Sequence, residues 1–191
     1  MVGILLAAGF SRRFGAADKL LQVLPDGRPI ALASAESLIK AIPISIAVVR
    51  PENTALAELL LNTGLKIVLC HESDQEMADS LATAIRFSSN FEASSDGFVI
   101  ALADMPFIQS STITKVATKL SSSASIIIPS YLGQRGHPVG FAAKFRDALE
   151  SLHGDEGARS IIKRYPNEVH LLPCNDAGIL TDIDTPADFS N

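Results

Sequence analysis

A single-domain, doubly wound, mostly parallel α/β sheet with helices on both faces is the fold this sequence predicts, on three observations. Short runs rich in Val, Ile, Leu and Ala alternate with longer stretches of helical periodicity from the N-terminus to Pro129. The runs are apolar throughout instead of alternating, as strands covered on both faces require. Two of them stop abruptly at chemically distinctive residues, Gly9 and Asp104, as strands do where they open onto a ligand at their carboxyl ends.

The elements follow in order. Ile4 to Ala8 reads as a buried first strand that runs into the loop from Gly9 to Lys19. Leu20 to Val23 and the turn Pro25-Asp26-Gly27-Arg28-Pro29 lead to a helix from about Ile30 to Lys40, with Ile30, Ala33, Leu38 and Ala41 along one side. Ile44 to Val49 is the second strand. Asn53 caps a helix reaching about Leu61, Gly64 stops it, and Lys66 to Cys70 is the third strand. Met77 to Phe87 is helical, Ser88 to Gly97 is a serine-rich loop, and Phe98 to Ala103 is the fourth strand. A helix over Ser111 to Leu120 and a strand over Ser125 to Pro129 complete the regular part. Beyond them come a glycine-rich loop from Tyr131 to Pro138 and a short strand from Val139 to Ala142. Helices at Lys144 to Leu152 and about Ala158 to Tyr165 follow, with short strands at Glu168 to Pro173 and Gly178 to Leu180.

Composition narrows the class. The 191 residues are enough for one sizeable core, and 47% hydrophobic with 19% charged residues is the balance of an ordinary folded protein. A net charge of −5 disfavours a nucleic-acid partner, whose affinity would rest on a broad basic face. Cys70 and Cys174 are isolated thiols without C-x-x-C spacing, so buried reduced cysteines are expected instead of a zinc site or disulfide. The apolar start has no basic leader and ends at Gly9, too short for a membrane span, so a soluble cytoplasmic protein is expected.

Gly9-Phe10-Ser11-Arg12-Arg13-Phe14-Gly15-Ala16-Ala17-Asp18-Lys19 is the first chemically distinctive stretch. Two glycines leave backbone N–H groups free to form an anion nest, and Arg12, Arg13 and Lys19 add charge, which together suit a triphosphate. A tight strand-to-helix turn with solvated cations is the alternative. Five residues separate Gly9 from Gly15 and no hydroxyl follows Lys19, so this is no Walker motif; Ser11 breaks the dinucleotide pattern at its second glycine.

Asp104, in Ala103-Asp104-Met105-Pro106, would lie at the open end of the sheet, where a divalent cation could sit between it and nucleotide phosphates; an Asx turn before Pro106 explains the same residue. Asp182 and Asp184 alternate onto one face of an extended segment, with Asp188 just past Pro186. Carboxylates in such places are either caps or ligands.

Five motifs in order give the chain a family resemblance. Leu6-Ala7-Ala8-Gly9-Phe10-Ser11-Arg12-Arg13-Phe14-Gly15 with Lys19, Ala103-Asp104-Met105-Pro106, Arg135-Gly136-His137-Pro138-Val139, Gly154-Asp155-Glu156-Gly157-Ala158-Arg159 and Asp182-Ile183-Asp184-Thr185-Pro186-Ala187-Asp188 resemble those of the molybdopterin nucleotidyltransferases. Within that group the chain is similar to the molybdenum cofactor cytidylyltransferases, from Leu5 to Phe189. The resemblance implies a Rossmann-like nucleotidyltransferase fold, with residues 1–120 mainly binding the NTP and residues 121–191 mainly the acceptor. It implies that Leu6, Ala7, Ala8, Gly9, Ser11, Arg12, Arg13, Phe14, Gly15, Lys19, Ser80 and Leu81 bind the nucleotide, with Arg12, Lys19 and Asp104 catalytic. Arg135, Gly136, His137, Pro138, Asp155 and Gly157 would bind the acceptor. Asp104 and Asp184 would hold Mg²⁺, ahead of Asp182.

Ala8 stands where guanylyl-transferring relatives usually have glycine, and with the Gly-His-Pro motif this favours CTP over GTP. Glu76 and Ala84 depart from the family pattern, which commonly has glycine at both. The expected partners are thus CTP or another NTP, a phosphorylated small-molecule acceptor of molybdopterin type, and a molybdoenzyme. A sugar or alcohol phosphate acceptor, or a non-catalytic cofactor-handing chaperone, would use the same motifs. His137 is placed either as a general base or as a lining of the acceptor pocket, while His71, His153 and His170 are scattered.

Overall fold

In the computed structural model, which describes residues 1–9, 18–70, 77–123, 125–154 and 157–185, eight strands form one sheet. They are β1 (Val2–Leu6), β2 (Ser45–Val49), β3 (Lys66–Leu69), β4 (Phe98–Leu102), β5 (Ile126–Tyr131), β6 (Gln134–Arg135), β7 (Val139–Phe141) and β8 (Val169–Pro173). The order is β3-β2-β1-β4-β7-β5-β6, with β8 alongside β5. β1 pairs in parallel with β2 and β4, β2 with β3, and β5 with β8. The helices are α1 (Ile30–Ala41), α2 (Thr54–Asn62), α3 (Met77–Phe87), α4 (Ser110–Ser123), α5 (Arg146–Glu150) and α6 (Arg159–Arg164).

The apolar runs form the central strands because those strands are sealed on both faces. Ile4, Leu5, Ile46, Ala47, Val48, Phe98 and Val99 have no solvent exposure, and β1 and β4 match residue for residue from Val2↔Phe98 to Leu6↔Leu102. α1 packs against α2 and α4, and α3 packs against α5, giving the helix layers that cover such a sheet. Gly3 permits close packing of β1, since a Cβ there would stand 2.3 Å from the Ser45 hydroxyl. Asn53 caps α2 as expected, its side chain accepting from the Leu56 N–H, and Gly64 (φ +102°) ends that turn. Cys70 is buried as expected, Cys174 is only half-buried, and the two form no disulfide.

The sheet is mostly parallel as expected, with β7 antiparallel to both β4 and β5. Three expectations need correction. The loop from Tyr131 to Pro138 contains strand β6, which pairs with β5 across a turn at Leu132 (φ +48°) and Gly133 (φ +80°). The helix over Lys144 to Leu152 is a 3-10 turn at Ala143–Phe145 followed by α5. Gly178 to Leu180 is no strand; Ala177–Leu180 forms a 3-10 turn capped by Asp176, whose carboxylate accepts from the Gly178 N–H. A short apolar run cannot distinguish a strand from a buried turn, and here the capping aspartate decides.

The antiparallel course of β7 decides where the segment before it lies. The register of β7 with β4 runs from Phe98↔Phe141 to Ile100↔Val139 and then stops, so Gly136 to Pro138, between β6 and β7, lie beside the end of β4. The His137–Pro138 peptide bond is cis. Among the described residues no helix is long and apolar enough to cross a membrane.

Candidate active site

β1 and β4 lie side by side, so the two segments that leave their carboxyl ends do too. The Ala7 N–H reaches the Val48 carbonyl at 3.0 Å and the Ala103 N–H reaches the Leu6 carbonyl at 3.1 Å, carrying the ladder one residue past each strand. The buried Ser34 hydroxyl of α1 donates to the Ala103 carbonyl at 2.9 Å. Asp104 therefore starts from a fixed point. Ala7 and Ala8 are buried at the mouth, and among the described residues a Cβ on Gly9 would meet nothing within 4 Å. None of the described residues packs so closely as to require glycine at position 9, and a bare backbone there suits a close-approaching ligand.

A second carboxylate is brought to Asp104 by backbone. The N–H of buried Ile183 donates to the Asp104 carbonyl at 2.9 Å, which sets Asp184 next to it. Lys19 joins the two: its Nζ donates to Asp104 Oδ2 at 2.8 Å and to Asp184 Oδ1 at 3.1 Å. Burial alone would lower the Lys19 pKa, but its hydrogen bonds and charge attraction to Asp104, then Asp184, outweigh that and hold it above the ordinary value. Lys19 begins a 3-10 turn at Lys19–Leu21, which Asp18 caps by accepting from the Leu20 N–H at 2.9 Å. Asp18 also accepts from the Asn53 amide, tying this turn to the start of α2.

The segment that carries Asp184 is held in place upstream. Asp176, 3% exposed, accepts through Oδ2 from the Gln109 N–H at 3.0 Å and the Thr112 hydroxyl at 2.6 Å, and through Oδ1 from the Gly178 N–H at 3.1 Å. One carboxylate thus fastens the start of α4 to the turn at Ala177–Leu180. Two glycines let that turn sit close. A Cβ on Gly178 would stand 2.2 Å from the Phe107 carbonyl oxygen, and one on Gly136 would stand 2.3 Å from the Ile179 carbonyl oxygen. The same Ile179 carbonyl accepts the His137 N–H at 3.0 Å.

His137 thereby comes to rest near the acids. Burial pushes its pKa below the ordinary value, against the attraction of Asp104; Arg159 pushes the same way as burial, and Asp182 opposes it. Burial therefore favours the neutral imidazole, whose buried Nδ1 has no hydrogen-bond partner among the described residues. A buried imidazole nitrogen with no protein partner is available to a ligand.

The sequence-predicted residues divide accordingly. Leu6, Ala7, Ala8, Gly9, Lys19, Asp104, Gly136, His137, Pro138, Asp182 and Asp184 gather around the ends of β1 and β4. Arg135 is exposed on β6, and Gly157 (φ +52°) precedes α6. Ser80 and Leu81 are buried in α3, Leu81 within the core, which accounts for its apolar character by packing. Ala84 has no exposure, so its departure from glycine falls in the core. His153 and His170 are exposed. Ser11, Arg12, Arg13, Phe14, Gly15, His71, Glu76, Asp155 and Asp188 lie outside the described residues. The sequence reading missed Asp18 and Asp176; Asn175-Asp176-Ala177-Gly178, an Asx-turn signature, was the signal for the latter.

Asp104 and Asp184 converge on a single ammonium, so they are near enough to bind one cation together. Two carboxylates completed by substrate phosphates are how proteins commonly hold Mg²⁺, and this pair fits that requirement. No group of three or more His, Cys, Asp or Glu that could hold a metal occurs among the described residues, so phosphate oxygens would have to complete such a site.

Comparison with known proteins places this geometry in context. A MobA-like NTP transferase domain matches residues 3–169. The purine catabolism protein PucB of Bacillus subtilis is 27% identical, over 99% of this chain and 94% of its own length. Nicotine blue oxidoreductase of Paenarthrobacter nicotinovorans is 29% identical, over 97% of this chain and 92% of its own. Among solved structures, Rv0371c of Mycobacterium tuberculosis superposes with a TM-score of 0.84 at 24% identity, covering all of this chain and 96% of that one. A manganese complex of the same protein superposes at 0.77 with 21% identity, covering 99% and 95%.

Proposed function

The chain belongs to the MobA-like NTP transferase family and is a nucleotidyltransferase; from that premise we propose that it moves CMP from CTP to a phosphorylated acceptor of molybdopterin type, releasing pyrophosphate. The observation that carries this reading is the convergence of Asp104, Asp184 and Lys19 where β1 and β4 open, beside the loop bearing His137. The whole described chain acts in this reading as one nucleotidyltransferase domain, its first 120 residues gripping the nucleotide and the remainder walling the acceptor.

The chemistry follows from charge. A phosphate oxygen of the acceptor attacks the α-phosphorus in line; the new P–O bond forms as the bond to the β-phosphate oxygen breaks, and pyrophosphate leaves. Asp104 and Asp184 would hold Mg²⁺, which neutralises charge developing on the phosphoryl oxygens when bound. The manganese complex of Rv0371c supports a divalent cation in this role. Arg12 and Lys19 neutralise the leaving pyrophosphate, and Arg13, Ser11, Phe14 and Gly15 complete the cradle. Little covalent work is asked of the protein, so positioning and preorganised charge supply the rate. His137 lines the acceptor pocket with Arg135, Gly136, Pro138, Asp155 and Gly157, its unpartnered Nδ1 offering a hydrogen-bonding wall to the acceptor. Ala8, in place of a second glycine, supports CTP.

An oxidoreductase reading, which the name of one relative raises, lacks a dinucleotide fingerprint here because Gly9-Phe10-Ser11 has no second glycine. The test is pyrophosphate release from CTP, GTP and ATP with Mg²⁺ and molybdopterin. Release with CTP, lowered about a hundredfold in Asp104→Ala, is the expected result. No release with any nucleotide would overturn the proposal, and turnover with a sugar phosphate would move it to another acceptor.

A further inference from the structure

Lys19 is placed oddly for a phosphate-binding residue. Among the described residues its ammonium hydrogen-bonds Asp104 and Asp184, at 2.8 and 3.1 Å, and its side chain is 12% exposed against 25% for Asp104 and 42% for Asp184. The cation is the most enclosed member of the trio, inside the two acids. The surrounding backbone fixes this posture. Leu20 is buried, Asp18 caps the turn, the Gln22 N–H returns to the Lys19 carbonyl at 3.1 Å, and the Ile30 N–H reaches the Gln22 carbonyl at 2.9 Å. The stem is anchored on the α1 side of the mouth while the ammonium spans to the acids.

An ammonium bonded to two carboxylate oxygens stands where a divalent cation must stand to reach both, since Mg²⁺ needs those oxygens at about 2.0–2.1 Å. The two cations exclude each other. A free metal ion arriving alone would have to expel Lys19 and leave a partly buried ammonium without a counter-charge, which is costly. A polyphosphate arriving with the metal gives the ammonium a new acceptor and removes that cost.

We propose that Lys19 is a place-holding cation: it occupies the metal position between Asp104 and Asp184 in the free protein and vacates it for phosphate, so that the site accepts a divalent cation together with polyphosphate and resists the cation alone. The proposal rests on the reading of Asp104 and Asp184 as metal ligands. It assigns the substrate form, a metal–polyphosphate complex, and makes metal and nucleotide binding mutually reinforcing.

The test is Mn²⁺ binding, read by the electron paramagnetic resonance of free Mn²⁺, without reference to turnover. Wild type alone should bind Mn²⁺ weakly, Lys19→Gln about tenfold or more tighter, and Lys19→Arg, which keeps a bridging cation, like wild type. Arg159→Gln removes an equal charge from the same neighbourhood and should change affinity by less than about threefold, because exposed charges are screened. Adding α,β-methylene CTP should load Mn²⁺ onto wild type, with a bound-metal spectrum absent in Asp104→Asn. Equal Mn²⁺ affinity in wild type and Lys19→Gln, both weakened by Asp104→Asn, would overturn the place-holding role while leaving the metal ligands standing. Equal tightening by Arg159→Gln and Lys19→Gln would reduce the effect to bulk charge and overturn it too. Absence of Mn²⁺ binding in every variant, analogue present or not, would overturn the metal site itself.

Discussion

Asp104 and Asp184 offer the same carboxylate to the same ammonium, yet they arrive by opposite routes. Asp104 is delivered by the parallel half of the sheet: β4 continues the β1 ladder to Ala103, and Ser34 pins the Ala103 carbonyl, so the acid emerges two residues beyond a strand with no freedom to drift. Asp184 lies on an irregular arm whose holds among the described residues include the Asp176 clamp, the close seats of Gly136 and Gly178, and the Ile183 N–H on the Asp104 carbonyl. A sheet positions through many redundant bonds; an arm positions through few, each of which counts. The difference predicts that the first acid is sensitive only to its own replacement, and the second also to residues that never touch substrate.

The largest effect should come from the acids themselves. Asp104→Ala should lower pyrophosphate release about a hundredfold, the scale of removing one charge-stabilising group, with a melting temperature close to wild type. Substitution of Asp176 by Asn comes next and tests the arm directly. An amide can accept on one side only and presents a donor to the other, so it should cost about 2–3 kcal/mol of stability and reduce kcat about tenfold by releasing Asp184. If Asp176→Asn melts early but retains full kcat, Asp184 is held by contacts other than this clamp.

Two glycines sharpen the contrast further. Gly178→Ala forces a methyl group onto the Phe107 carbonyl and should destabilise by about 1–3 kcal/mol in denaturant unfolding. In Gly9→Ala the new methyl group meets no described residue within 4 Å, so stability should stay within about 0.5 kcal/mol while nucleotide affinity falls. A stability loss at Gly9 would assign that glycine to packing.

The smallest effect is a slope. The folded pKa of His137 is depressed, so above the ordinary histidine value both folded and unfolded chains are neutral there. As pH falls below about 6.5 the unfolded chain takes up the proton first and native stability declines, by at most about 1.4 kcal/mol per pH unit from this group, until the folded pKa is passed. His137→Gln should flatten that part of the stability profile between pH 7 and 5. An unchanged slope would show that another group carries it.

The parallel half was legible in the sequence because each of its elements is a local pattern. Buried strands read as apolar runs, Asn53 reads as a cap, and Asp104 reads as an acid where such a run ends. The arm was legible only as motifs. Asp182 and Asp184 stood out, but what places them is a set of contacts over long sequence distances, such as Thr112 to Asp176 and His137 to Ile179, which no local periodicity records. The turn at Ala177–Leu180 looked like a strand because four apolar or small residues carry no period of their own. The antiparallel course of β7 was hidden for a similar reason: three residues, Val139 to Phe141, say nothing about direction. Nor could the sequence show Lys19 turned towards carboxylates, since a lysine after a glycine loop suggests phosphate on sight.

The tight turn of the β5–β6 hairpin has a consequence for how such a protein diversifies. Leu132 and Gly133, both in left-handed backbone, close the hairpin at its exposed tip, and the strand leaving it runs straight into Gly136 and His137. The tip lies outside the register that joins β5 to β8, so residues exchanged there leave that pairing in place. In the proposed reading the hairpin is thus an evolutionary tuning point, where a lineage could try new acceptors by rewriting a few residues while β1 and β4 are inherited unchanged.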